Sequence, residues 1–163
     1  MRIVHYINQF FAGVGGEEAA GASLEEKKGA VGPGRLLEQL MGGDAQVVST
    51  LVCGDNHAVE NQDAVVAAVV EKVRAAKADL FVAGPCFEAG RYGMISGAAC
   101  VAVEAELGIP AMTGMHVENP GVDLYREGLY IVDSGQSAAE MKGVMGKIVA
   151  IAQKRLKGEP IGK

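Results

Sequence analysis

Residues 83–93 read Ala-Gly-Pro-Cys-Phe-Glu-Ala-Gly-Arg-Tyr-Gly, directly after the apolar run Asp79-Leu-Phe-Val82. One glycine-rich loop thus carries a thiol, a carboxylate, a guanidinium and a phenol. Cys86 just before a helix start is a weak nucleophile candidate, because a helix N-terminus can depress a thiol pKa; a small buried apolar thiol is the plainer reading. Arg91 is a planar fork suited to a carboxylate, either a substrate's or that of Glu88 or Glu118. Tyr92 adds an aromatic face beside it.

Further chemistry lies in other loops. Glu118-Asn-Pro-Gly121 places Glu118 and Asn119 beside a turn fixed by Pro120. Asn8-Gln-Phe-Phe-Ala-Gly-Val-Gly-Gly-Glu-Glu18 holds Asn8, Phe10, Phe11, Glu17 and Glu18. Its Gly13-Val-Gly-Gly16 core invites a phosphate-loop reading, but the spacing is not GxGxxG, no GK[ST] follows, and Glu17-Glu18 would repel a phosphate. His5 lies inside an apolar run and reads as a core histidine.

The elements that must position these residues follow from periodicity. Five short runs have strand length and β-branched content: Arg2–Ile7, Gln46–Val52, Asp79–Ala83, Pro110–Thr113 and Gly128–Val132. Helical spacing recurs over Arg35–Met41, Asn61–Ala76, Arg91–Leu107 and Ser137–Lys157, the third ending at Gly108 before Pro110. Alternating strands and helices predict an α/β fold: a three-layer, doubly wound, mainly parallel sheet of about five strands, Rossmann- or flavodoxin-like. Residues 1–157 form one domain in this reading, and 158–163 a flexible tail or the start of a linker. The loops after the strands hold all the unusual residues, whereas the return connections Lys77-Ala78 and Leu107-Gly108-Ile109 are plain. A ligand crevice is expected outside the carboxyl ends of the strands, where strand order reverses.

Composition narrows the function classes. Hydrophobic residues make up 49% of 163 positions with no Trp, four Phe and four Tyr, so the core is mostly aliphatic. The net charge of −5 and the absence of a basic cluster argue against nucleic acid. No run approaches a membrane span and no signal peptide is evident, so a cytoplasmic location is expected. Three cysteines without CxxC spacing and three scattered histidines give no metal motif.

Several of these segments together resemble a known family: His5-Tyr-Ile-Asn-Gln-Phe-Phe-Ala-Gly-Val-Gly-Gly-Glu-Glu18, Val31-Gly-Pro-Gly34, Ala83-Gly-Pro85 with Ala89-Gly-Arg-Tyr-Gly93, Glu106-Leu-Gly-Ile-Pro110, Thr113-Gly-Met115 and Glu118-Asn-Pro-Gly121. They resemble the amino-terminal part of selenoprotein B, the substrate-specific component of the glycine, sarcosine and betaine reductases. The resemblance implies reductive C–N cleavage in which a selenolate attacks the carbon bearing the amino group, releasing an amine and leaving a carboxymethyl selenoether for selenoprotein A. It also implies a proprotein-derived partner subunit, which carries a pyruvoyl group in the glycine enzyme. The family polypeptide is longer and carries a selenocysteine-x-x-Cys-x-x-x-Gly motif in its later part, which these residues lack. The chain is therefore expected to be a fragment or truncated relative, inactive in the reductive step alone and with no cofactor of its own.

In the combined reading Arg91 meets a substrate carboxylate, Glu118 or Glu17 and Glu18 meet the amine, and the rings of Tyr6, Phe10, Phe11 or Tyr92 receive a methylated ammonium. Tighter binding of betaine is then expected. Two alternatives stand beside it: a non-catalytic docking domain, and a flavodoxin-like flavin- or nucleotide-binding protein, which would purify yellow or with bound nucleotide. Apolar surface left where the missing region packs would favour homo-oligomers.

Overall fold

The computed structural model describes residues 1–125, 129–135 and 137–158. Strand β1 (Arg2–Asn8) is followed by β2 (Glu25–Lys28), α1 (Gly34–Met41), β3 (Gln46–Cys53), α2 (Asp55–Glu60), α3 (Gln62–Ala75), β4 (Leu80–Ala83), α4 (Gly90–Leu107), β5 (Ala111–Met115), α5 (Pro120–Tyr125), β6 (Tyr130–Asp133) and α6 (Met141–Leu156). The sheet order is β2-β3-β1-β4-β5-β6. β1, β3, β4, β5 and β6 run parallel, whereas β2 pairs antiparallel with β3.

The five parallel strands fall where alternation predicted them, giving a flavodoxin-like order in which the chain reverses between β1 and β4. Gly128, the first residue of the fifth expected strand, lies outside the described residues, as do positions 159–163 of the expected tail. The sixth strand, β2, is an antiparallel edge that the apolar runs did not mark. Glu25-Glu-Lys-Lys28 has weak strand propensity and no apolar alternation, but β3 offers it a hydrogen-bonding edge. Glu26 anchors it by accepting from Ser49 Oγ at 2.6 Å.

Strand side chains alternate between two cores. Val4, Tyr6, Leu51, Cys53 and Phe81 pack under α3 and α4 with Val65, Val69, Val73, Tyr92 and Ile95. Ile3, Val47, Leu80, Val82 and Met112 face α1 and α6 through Leu37, Met145, Ile148 and Ala152. The valines of α3 recur at three- and four-residue steps, so one stripe meets the sheet while Glu71 and Arg74 stay in water. α4 ends at Gly108, whose φ of 70° is the left-handed cap geometry that glycine adopts without penalty. Asn119-Pro-Gly, expected only as a turn, opens α5 with Pro120 at the first helical position, where its missing N–H costs nothing. The expected helix at 137–157 starts as a 3-10 turn, Ala138–Glu140, before α6. Among the described residues no helix is long and apolar enough to cross a membrane.

Candidate functional site

The candidate site lies at the carboxyl ends of β1, β3 and β4, about the switch point between β1 and β4. Asn8 ends β1 and is buried; its Oδ1 accepts from Phe11 N at 3.1 Å, and its Nδ2 donates to Asp55 Oδ2 at 3.0 Å. Gln9 Oε1 accepts from the Asp55 backbone N–H at 3.0 Å. The loop after β1 then docks on the start of α2: Gly54 N donates to Ala22 O and Asn56 N to Ala20 O, both at 2.8 Å. Only glycine fits at 54, because a Cβ there would overlap the Ala20 carbonyl. Asp55 is thereby fixed at 4% exposure, and burial raises its carboxyl pKa while the Asn8 hydrogen bond opposes the rise.

Arg91, in the first turn of α4, reaches across to the same place. Nη1 donates to Asn56 Oδ1, and Nη2 donates to Glu17 Oε2 at 2.7 Å. The Arg91 hydrogen bond holds Glu17 below the usual carboxylate range, and Glu17 in turn raises Arg91. The pairing differs from the Glu88 or Glu118 partner expected from sequence. Glu17 lies 74 positions away on a 3-10 turn, Glu17–Ala19, and only the docked loop brings it within reach.

Aromatic rings line the inner side. Phe10 and Phe11 meet edge to face at 5.3 Å between centroids, and Phe11 lies 6.0 Å from Phe87 and 6.1 Å from Tyr92. Tyr92 in turn lies 6.3 Å from Tyr6. Phe10 is 61% exposed, whereas Tyr6 and Tyr92 are fully buried, so the row runs from solvent into the core. An exposed ion pair, two buried amides, a buried carboxylate and five rings therefore share one edge of the sheet.

A family model described as Glycine/sarcosine/betaine reductase selenoprotein B matches residues 1–163. The chain belongs to this family. It is 49% identical over 162 residues to Sarcosine reductase complex component B subunit beta of Peptoclostridium acidaminophilum, covering 99% of this chain. Glycine reductase complex component B subunit gamma of Peptoclostridium litorale is 48% identical over 162 residues, again 99% of this chain. Betaine reductase complex component B subunit beta of Peptoclostridium acidaminophilum is 37% identical over 161 residues, also 99% of this chain. The chain spans 37% of the length of each of these relatives, which are components of reductase complexes. No solved structure matches it.

Within this selenoprotein B family chain, the residues singled out from sequence separate into two groups. Asn8, Phe10, Phe11, Glu17, Arg91 and Tyr92 come together at the switch point. Asn119 does not join them as a free group: it is 2% exposed, donates to Phe87 O and Ala89 O at 3.0 Å each, and accepts from Gly121 N at 3.0 Å. Its capacity is spent on holding the β4 loop to α5. Glu118 is exposed beside His116, whose Nδ1 accepts from the Glu118 backbone N–H at 3.2 Å.

Cys86 sits under the loop rather than in it. It is 1% exposed, its Sγ lies 3.2 Å from Ser96 Oγ, and burial pushes its pKa up to about 12. That is the reverse of the depressed thiol on which a nucleophile reading depends. Cys53 is pushed up to about 11 and Cys100 is raised as well, in both cases chiefly by burial. His5 is a core histidine with Nε2 2.7 Å from Gly84 O and its pKa lowered to about 4 by burial.

Three functional candidates were missed in sequence. Asp55 and Asn56 stood in Cys53-Gly-Asp-Asn-His57, a polar loop after a strand, and Gln9 stood in the β1 loop; that position was their only signal. A phosphate-loop role for Gly13–Gly16 finds no support, because Gly15 N donates to Gln9 O and Gly16 N to Glu18 Oε1 at 2.9 Å, so the N–H groups a phosphate would use are engaged. Among the described residues no three His, Cys, Asp or Glu side chains are grouped to hold a metal ion.

Proposed function

We propose that this chain is the substrate-recognition part of a component B of the glycine, sarcosine and betaine reductases, acting on a small amino acid or its N-methylated derivative. The observation that carries the reading is the Arg91 guanidinium at the switch point, set beside the buried Asp55 carboxylate and the row of rings. A zwitterion brings a carboxylate that suits the fork of Arg91 and a cationic nitrogen that suits the carboxylate and aromatic faces behind it. The Glu17 carboxylate pairs with Arg91. This pair is solvent-exposed and therefore weak, so an incoming carboxylate can replace it at little cost.

The three thiols fit this division of labour, since each is buried with a raised pKa and none is a thiolate at neutral pH. The nucleophile that opens the C–N bond would be supplied by the selenocysteine region of the longer family polypeptide, and the pyruvoyl group by a partner subunit. The residues of this chain bind and orient the substrate and exclude water behind it.

A docking role has its own support. Phe10, Val14, Val117 and Leu124 are exposed large hydrophobic residues, and all stand in the β1 loop, the β5 loop or α5, along the carboxyl edge of the sheet. They form a rim on which the rest of the polypeptide or a partner subunit would pack.

Isothermal titration of the chain with glycine, sarcosine and betaine, repeated with Arg91→Ala, separates the two. Saturable binding lost in the variant is expected. No binding of any of the three would leave docking as the role of this edge.

A further inference from the structure

We propose that Asp55, Tyr6 and Tyr92 form the amine end of the crevice, a site built for an ammonium that carries N–H hydrogens rather than a quaternary one. The assignment rests on the recognition reading above and names the group that faces the substrate nitrogen.

Among the described residues, four buried side-chain atoms have no hydrogen-bond partner: His5 Nδ1, Tyr6 Oη, Asp55 Oδ1 and Tyr92 Oη. His5 faces α1, where a Cβ on Gly34 would come within 3.0 Å of its Nδ1. The other three belong together. Tyr6 leads into the end of β1, Asp55 opens α2 just past β3, and Tyr92 lies in the first turn of α4. Their exposures are 0%, 4% and 0%. Asp55 interacts electrostatically with both phenols, and the phenols with each other; Tyr6 also lies near the Cys53 thiol and Tyr92 near the Asn8 backbone, but neither contact has hydrogen-bond geometry, and no two of the three atoms are hydrogen-bonded to each other.

A buried polar atom left unpaired is costly, and native folds leave few of them. Three in one place point to a shared partner. The chemistry of that partner follows from what each atom offers. An ionised carboxylate oxygen only accepts, and a phenol oxygen accepts or donates. An anion would be repelled by Asp55. A cation bearing N–H groups can donate to all three at once, and a primary ammonium has three such hydrogens. A quaternary ammonium has none and would leave every one of these atoms unpaired, whatever its contact with the rings. This reverses the preference for betaine expected from aromatic content alone. Asn56, adjacent in the chain to Asp55, contacts Arg91, so the acidic and basic ends of the crevice lie side by side.

The test uses charged fragments of the substrate on the 163-residue chain, followed by NMR of its tyrosine rings. Methylammonium chloride is expected to shift the Tyr6 and Tyr92 signals saturably, and tetramethylammonium chloride to bind about tenfold more weakly or worse. Asp55→Asn should weaken methylammonium binding by about tenfold or more. Tyr92→Phe keeps the ring and should weaken it severalfold, which keeps the test valid if Asp55→Asn fails to fold. Equal shifts from both cations, no shift from methylammonium, or only a resident water at these atoms would overturn the assignment. Glycine binding that survives in a folded Asp55→Asn chain would also overturn it, while leaving recognition through Arg91 standing.

Discussion

Arg91 Nη2 and Glu17 Oε2 lie 2.7 Å apart, closing the loop after β1 over the first turn of α4. Both partners are substantially exposed, so the pair works as a displaceable contact rather than a strut.

Removing the competing charge should therefore help a ligand. Glu17→Gln is expected to tighten binding of acetate or glycine by about two- to fivefold, with little effect on the thermal midpoint. Titration calorimetry of wild type and variant reads this directly. Weaker binding in Glu17→Gln would mean that Glu17 orients Arg91 rather than blocking it.

Asn119 is expected to matter for stability and not for binding. Asn119→Ala removes one of the two hydrogen bonds to each of the Phe87 and Ala89 carbonyls, which keep those from His116 N and Gly93 N, and takes the acceptor from the Gly121 N–H, at a cost of about 1–3 kcal/mol in urea unfolding. Gly93→Ala should be similarly harmful, since a Cβ at 93 would overlap the Asn119 side chain. A folded, stable Asn119→Ala chain that no longer binds glycine would restore Asn119 as a substrate contact.

His5 should set an acid limit. Its pKa is about 4 when folded against an ordinary 6.5, so the unfolded chain takes up a proton that the folded chain refuses. Stability from this group is complete above pH 6.5 and falls as the pH drops toward 4, by about 3 kcal/mol in all. Asp55, whose carboxyl is raised, acts in the opposite sense: its contribution is present below its unfolded value and is lost as pH rises through the folded one. The difference between wild type and His5→Gln in urea midpoints from pH 4 to 7 isolates His5, and parallel curves would refute the assignment.

All three cysteines should be silent in the native chain. Burial and raised pKa values predict no reaction with a thiol-disulfide reagent at pH 8, and reaction of three thiols after denaturation. A rapid native reaction assigned to Cys86 would reopen its candidacy as a nucleophile.

The fold was legible where hydrophobic pattern decides structure and illegible where a neighbour does. The apolar runs at β1, β3, β4 and β5 and the valine stripe of α3 announce themselves, because each must bury one face. Glu25–Lys28 does not, because its strand conformation is borrowed from the edge of β3. In the crevice, Arg91 and the rings were readable from residue type and loop position. Asp55 was not, because its burial depends on Asn8, Gln9 and Ala20, which the neighbouring strand β1 and the loop after it bring up from far away in the sequence. Pairing of Arg91 with Glu17 was hidden for the same reason: the nearer acids Glu88 and Glu118 looked equally able.

The charged strand β2 has a consequence for how such chains meet one another. An edge strand exposes a row of unpaired amides and carbonyls on which another sheet can grow. Here that margin carries two acids and two bases in four residues, with Lys27 3.6 Å from Glu25, and Glu26 tied to Lys72 at 3.5 Å. A strand laid alongside would have to strip water from this hem and accept like charges opposite one another. Lateral zippering of copies is thus discouraged on the β2 side.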